Sequence, residues 1–129
     1  MRYLTLSLAL GVLLACDSTG PAEFTGTYEL EMSNGQRLPV AYFPGSATQI
    51  ESGELTVTDD SHFNVTLAIS GGMQGHTFSY SRDGDSLIVP GPMGSGGRVS
   101  GRTVTLRLSF PLPPSQGFGL TWHDMVFVR

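Results

Sequence analysis

Three histidines are the side chains of this chain best suited to metal or proton chemistry: His62, His76 and His123. Neutral imidazole nitrogens ligate zinc and copper, and such a site needs several ligands that converge on one ion. The three residues are widely separated, and none is followed by a second histidine at a short metal-binding spacing. We therefore expect no metal and no cofactor, and we interpret each histidine as a strand residue. A metal site formed by all three is the open alternative.

Two acidic groups, Asp59-Asp60 and Asp83-Gly84-Asp85, could supply calcium ligands. The second group lacks the downstream ligand series of an EF-hand loop, and an Asp-Gly pair is typical of a tight hairpin turn. Neither a Gly-x-Ser-x-Gly nor a His-Glu-x-x-His motif occurs. The glycine-rich segment Gly94-Ser95-Gly96-Gly97 lacks the spacing of a phosphate loop, and we interpret it as part of a hairpin connection. We identify no catalytic residue and expect no enzyme.

The chain has 129 residues and a formal net charge of −4, and all seven of its basic residues are arginine. This length provides for one small domain. The absence of lysine excludes a P-loop lysine and a Schiff-base lysine. An acidic chain without lysine is not expected to bind nucleic acid, because that binding depends on basic side chains that neutralise phosphates.

The single cysteine, Cys16, cannot form a disulfide within the chain, and its position indicates another role. Arg2 precedes the apolar run Leu4–Leu14, which is too short to span about 30 Å of hydrocarbon and is typical of a secretory signal. The sequence Leu13-Leu14-Ala15-Cys16 resembles the bacterial lipobox, whose cysteine is acylated and becomes the mature N-terminus. The resemblance implies a lipid on Cys16, a membrane as partner and a location in the bacterial cell envelope, on the periplasmic or outer-surface side.

We accordingly divide the chain into a signal peptide over residues 1–15, a lipidated cysteine with a flexible tether over residues 16–23, and a folded domain over residues 24–129. The tether assignment rests on the small, polar and Pro/Gly-containing composition of Asp17–Glu23.

From Phe24 onward, apolar and polar residues alternate with a period of two, which is the pattern of half-buried β-strands. The clearest predicted hairpin joins Glu54–Thr58 to His62–Ile69. Leu67 in this hairpin and Leu106 in the predicted strand Thr103–Phe110 are expected to face inward. Eight or nine short strands joined by tight turns predict an all-β, antiparallel up-and-down barrel. A two-sheet β-sandwich is the alternative.

Several of these strand and turn segments resemble uncharacterised bacterial envelope lipoproteins with a lipocalin-like small barrel. The residues that carry the resemblance are Phe24–Leu30 with its Gly26-Thr27-Tyr28, the turn Asn34-Gly35 with Leu38-Pro39, and Ser52–Val57. The resemblance implies a fold and a location. It brings no activity and no catalytic residues.

The aromatic residues are the candidates for a ligand site. Those expected to face the interior are Tyr28, Phe63, Phe78, Tyr80 and Trp122, although the alternation in the last strand leaves the direction of Trp122 open. The interior of an eight-stranded barrel is filled by its own side chains or holds one small ligand. We expect a filled interior or a shallow cup, with Trp122 packed inside. The expected function is a membrane-anchored structural or binding module. The alternatives are a carrier of a small apolar ligand and, less favoured, a metal-binding or enzymatic barrel.

Overall fold

In a computed structural model, the chain forms one antiparallel sheet that curls into a nearly closed barrel. The structure describes residues 23–117 and 119–129. The predicted signal peptide, the predicted acylation site Cys16 and all of the predicted tether except Glu23 lie outside the described residues. No helix of the described part is long and apolar enough to cross a bilayer.

The described residues contain eleven strands and one 3₁₀ turn, at Pro114–Gln116. The strands are β1 (Gly26–Ser33), β2 (Gln36–Arg37), β3 (Val40–Ala41), β4 (Gln49–Val57), β5 (His62–Ile69), β6 (Gly72–Ser79), β7 (Ser81–Asp83), β8 (Ser86–Ile88), β9 (Gly94–Ser100), β10 (Thr103–Pro111) and β11 (Leu120–Val128).

The strand order around the barrel is β6-β5-β4-β1-β11-β10-β9-β8-β7, while the short β2 and β3 pair with β1 and β4. Strands next to each other in the sheet are consecutive in the chain, except that β1 pairs with β4 across the short β2 and β3, and that β1, the first strand, pairs with β11, the last. The two ends of the order, β6 and β7, are separated in the chain by Tyr80 alone. The predicted up-and-down barrel is confirmed, and the single sheet excludes the two-sheet sandwich.

Inward and outward side chains alternate along the strands as the sequence predicts. Leu67 and Leu106 are fully buried, whereas their neighbours Thr66 and Arg107 are half-buried and exposed. The buried apolar side chains form one contiguous core cluster that includes residues from every long strand. Contacts reach across the interior, since the rings of Phe78 on β6 and Phe110 on β10 lie 6.5 Å apart although these strands are not paired.

The glycine-rich segment before Arg98 is a strand, so its interpretation as a hairpin connection was wrong. Gly94–Gly97 opens β9 and pairs with β10, with Gly97 opposite Leu106. A Cβ added at Gly97 would collide with the carbonyl oxygen of Thr105, and one at Gly94 would collide with the Val89 side chain. These glycines are therefore needed because neighbouring backbone and side chains approach too closely for any larger residue.

The barrel has two ends that differ in charge. At one end, called the Phe24 end, Arg129 binds the start of the domain. Its guanidinium donates hydrogen bonds to the carbonyls of Thr25 and Glu23, at 2.9 Å each. The turns at this end carry Asp59, Asp60, Asp85 and Arg102. At the opposite end, called the Tyr42 end, the described connections over residues 34–48, 70–71, 89–93 and 112–117 carry one charged residue, Arg37.

Candidate functional site

Four of the five aromatic residues predicted to line a ligand site do face the interior, at the Phe24 end. They are Tyr28, Phe63, Phe78 and Tyr80, each no more than 8% exposed. Phe63 and Phe78 stack with ring centroids 5.3 Å apart, and Phe63 lies 5.7 Å from Tyr80. Phe24 packs edge-on against Tyr80 at 5.2 Å. These rings fill the space that a bound ligand would need.

Trp122 does not join them, and the expectation that it packs inside the barrel was wrong. It is 37% exposed on the outer face, where the Arg107 guanidinium carbon lies 5.2 Å from its ring centroid. Arg107 also pairs with Asp124 at 3.0 Å. Met125 and Phe127 are fully buried, and the period of two in a strand then directs Trp122 outward.

Because Trp122 points outward, it lines an outer cleft rather than the barrel interior. This cleft has a volume of about 430 Å³ and lies between β11 and the segment around Phe43 and Pro44.

A buried polar network occupies the Tyr42 end, and sequence reasoning missed it. His123 is 1% exposed, and its Nε2 lies 2.8 Å from the carbonyl oxygen of Tyr42. A carbonyl only accepts, so Nε2 carries the proton and donates. Nδ1 is then an acceptor, and it receives the Ser33 hydroxyl at 2.7 Å. Asn34 also approaches Nδ1 with its amide nitrogen, at 3.3 Å. The neighbours thus fix the neutral imidazole in one tautomer.

Burial is the main cause of the lowered pKa of His123, and the hydrogen bond to the Tyr42 carbonyl and the nearby Asp124 oppose this lowering. A protonated His123 would place an Nδ1–H against the amide nitrogen of Asn34, would require the Ser33 hydroxyl to turn and accept, and would carry its charge in a buried position. The structure therefore holds this histidine neutral at physiological pH.

Ser33 and His123 have the separation of a nucleophile–base pair, so a hydrolytic role has to be weighed. Both residues are at most 1% exposed, so no substrate carbonyl reaches the hydroxyl. The third partner is the Tyr42 backbone carbonyl, not a carboxylate. The pair instead ties β1, β11 and the Tyr42 segment together.

A second polar group lies beside this network. The Tyr42 hydroxyl lies 2.9 Å from the Pro111 carbonyl and 3.2 Å from Oε1 of Gln74, and burial raises the pKa of Tyr42. His76 lies 3.0 Å from the same Gln74 oxygen through Nε2, which therefore donates. Burial lowers the pKa of His76, and its ring packs 5.0 Å from Phe110. His76 is thus a neutral, half-buried residue beside the core.

A groove of about 480 Å³ opens where the barrel is not closed, between β6 and the segment Pro90–Gly94; we call this opening the seam. One lip consists of His76–Ser79 and the other of Pro90–Gly94. No Asp, Glu or Arg lines it. The seam leads toward the core beside Phe78 and Met93.

The acidic pairs and histidines do not form a metal centre. His62 lies exposed at the Phe24 end beside Asp59, whose Oδ1 accepts the backbone N–H groups of Ser61 and His62 at 2.9 and 2.8 Å. These bonds are the main cause of the lowered pKa of Asp59. Within residues 23–117 and 119–129, no three His, Cys, Asp or Glu side chains converge as a metal site would require.

No protein family model, no curated protein and no solved structure matches this chain.

Proposed function

We propose that the protein is a lipid-anchored component of a bacterial cell envelope, whose small barrel is a non-catalytic structural or binding module. The observation that carries this proposal is the sequence Leu13-Leu14-Ala15-Cys16 behind an apolar run, a few residues before a folded domain. Acyl chains on Cys16 would hold the protein at a membrane, because each buried methylene contributes about 0.8 kcal/mol.

The packing of the barrel supports a module that works through its surface. The side chains at the Phe24 end pack against one another. At the Tyr42 end, Ser33 and His123 form buried hydrogen bonds with each other and with the Tyr42 carbonyl. A carrier of a small apolar ligand has less support, because Tyr28, Phe63, Phe78 and Tyr80 occupy the space of the expected cup. Binding would then take place at the outer clefts and strand edges.

The anchoring is tested by mass spectrometry of the protein extracted from bacterial membranes. We expect a mature N-terminus at Cys16 with added acyl mass. Cys16→Ser should leave an unlipidated precursor, since a hydroxyl does not replace the thiol as acyl acceptor. Ser18→Ala, two residues away, serves as the control and should be processed like the wild type. An intact Met1 on the wild-type protein, or its recovery without acyl mass, would overturn the proposal.

A further inference from the structure

The outer edge of β6 is the one long strand edge that this barrel leaves without a partner in the described part of the chain. β6 pairs with β5 over all eight residues from Gly72 to Ser79, and no described strand pairs with its other side. Natural proteins commonly protect such edges with charged residues or proline. Gly72–Ser79 contains neither, and Met73 is 69% exposed.

Two prolines explain why β8 does not close the seam. β7 pairs with β8 so that Ser81 lies opposite Ile88. The same register, continued, would place Ser79 opposite Pro90 and Thr77 opposite Pro92. Proline has no N–H to donate to the ladder. β8 therefore ends at Ile88, and the edge of β6 remains free.

The direction of the free backbone groups follows from one hydrogen bond. The N–H of Tyr80 donates to the carbonyl of Ser61 at 2.9 Å, on the β5 side. Along a strand, these groups point alternately to the two sides. The N–H and C=O groups of Thr77 and Ser79 therefore point into the seam, where an added strand would meet them.

The side chains that line the seam determine which kind of segment could bind along the edge of β6. Phe78 and Met93 provide apolar walls, and the lining residues carry no Asp, Glu or Arg. A charged side chain would lose hydration there without gaining an opposite charge. The Pro90–Gly94 lip stands opposite β6, so an added segment must lie between the two. This favours a single extended chain over the β6 of a second barrel, because that strand is flanked by its own β5.

We propose that the seam binds an extended, uncharged peptide segment of a partner protein, which adds to β6 as a strand and places an apolar side chain between Phe78 and Met93. Backbone hydrogen bonds to Thr77 and Ser79 supply affinity, and the groove supplies selectivity for the side chain. This inference specifies the binding role proposed above, but it does not depend on acylation at Cys16.

The test measures amide hydrogen exchange by NMR in the full-length protein in detergent micelles. The probe is a capped eight-residue peptide of alternating threonine and valine, and the control probe is the same peptide N-methylated at every residue. We expect the first probe to slow exchange of the Thr77 and Ser79 amides about tenfold or more. The Tyr80 amide, already bonded to Ser61, is the internal reference and should not change. The N-methylated probe, which cannot donate, should have no effect.

Substitutions at one position separate the backbone from the side chain. Thr77→Pro removes an N–H on the free edge and should weaken probe binding about tenfold or more. Thr77→Val keeps the N–H and should bind like the wild type. If Thr77→Pro does not fold, the different effects of the unmodified and the N-methylated probe on the wild-type protein still test whether the peptide binds through backbone hydrogen bonds.

Three outcomes would overturn the proposal: equal protection by both probes, protection only at residues outside the seam, or no protection at millimolar probe. A dimer of the wild-type protein that is lost in Thr77→Pro would also overturn it, because the edge would then pair with a second copy. Loss of acylation with retained probe binding would reject only the anchoring.

Discussion

At the scale of single residues, burial decides which chemistry a side chain can perform. The Ser33 hydroxyl lies 2.7 Å from an imidazole nitrogen of His123, yet both residues are closed off from solvent. Their hydrogen bonds satisfy polar groups that would otherwise be unpaired in the core, and each such unpaired group costs about 1–3 kcal/mol. The network therefore stabilises the fold rather than a transition state.

The neutral state of His123 makes stability depend on pH. Burial lowers the pKa of His123 and His76 below the ordinary value of 6.5. Below about pH 6.5 these histidines become protonated in the unfolded chain but stay neutral in the folded barrel. The free energy of unfolding is therefore highest above this pH and falls as the pH drops. The slope is at most about 1.4 kcal/mol per pH unit for each histidine. Urea unfolding at pH 7.5 and 5.5 measures it.

Two variants identify which histidines cause this dependence of the unfolding free energy on pH. His123→Gln should reduce it and leave the contribution of His76, whereas His76→Gln should leave the contribution of His123. The explanation fails if His123→Gln and the wild type lose the same stability between the two pH values.

The inward and outward faces of β10 also differ at the residue scale. Leu106→Ala removes a fully buried side chain and should cost about 2–5 kcal/mol of unfolding free energy. Arg107→Ala removes an exposed ion pair and a contact with Trp122, and should cost less than about 1 kcal/mol. Chemical denaturation of both variants provides the comparison. Equal losses would contradict the assigned register of β10.

At the scale of elements, the strands were predictable where a polar and an apolar face alternate. β5 and β10 show this alternation clearly, and their buried faces are as predicted. β9 was not predictable in full, because Gly94–Gly97 has the composition of a loop and its need for small residues arises from neighbouring strands. In β11, apolar residues occur at both parities, so only the packed barrel determines that Trp122 lies outside.

The buried polar network could not be predicted from the local sequence. Ser33 and His123 are far apart in sequence, and they meet only because the first and last strands pair. No local pattern records that pairing. The unpaired edge of β6 could be suspected only from Pro90 and Pro92, whose importance depends on the register of β7 against β8.

A glycine pair tests the explanation of β9. Gly97→Ala places a methyl group against the Thr105 carbonyl and Leu106, and should cost about 2 kcal/mol or more. Gly72→Ala, at a strand position with open space around it, should change stability by less than about 0.5 kcal/mol. Thermal unfolding measures both. Similar melting temperatures for the two variants would mean that β9 can move away from β10.

At the scale of the whole molecule, the two ends of the barrel differ in charge and in composition. The Phe24 end carries most of the turn charges, and the described domain begins there. The Tyr42 end is nearly free of charge and rich in glycine and proline. If Cys16 is acylated, the charged Phe24 end is the end that begins nearest the lipid, and the Tyr42 end, which carries only Arg37, lies farther from it along the barrel.

The pairing of β1 with β11 has a consequence for how the chain reaches this structure. Glu29 pairs with Val128, so closing the barrel brings together the most distant parts of the described sequence. A circular permutant would make this contact local: Arg129 joined to Phe24 by a short flexible linker, and a new start opened between Tyr80 and Ser81. β6 and β7 are the two ends of the strand order, so this opening separates no pair of hydrogen-bonded strands. Local contacts shorten the loops that must close, which generally speeds folding. In stopped-flow refolding, the permutant should reach the same barrel faster than the natural chain order.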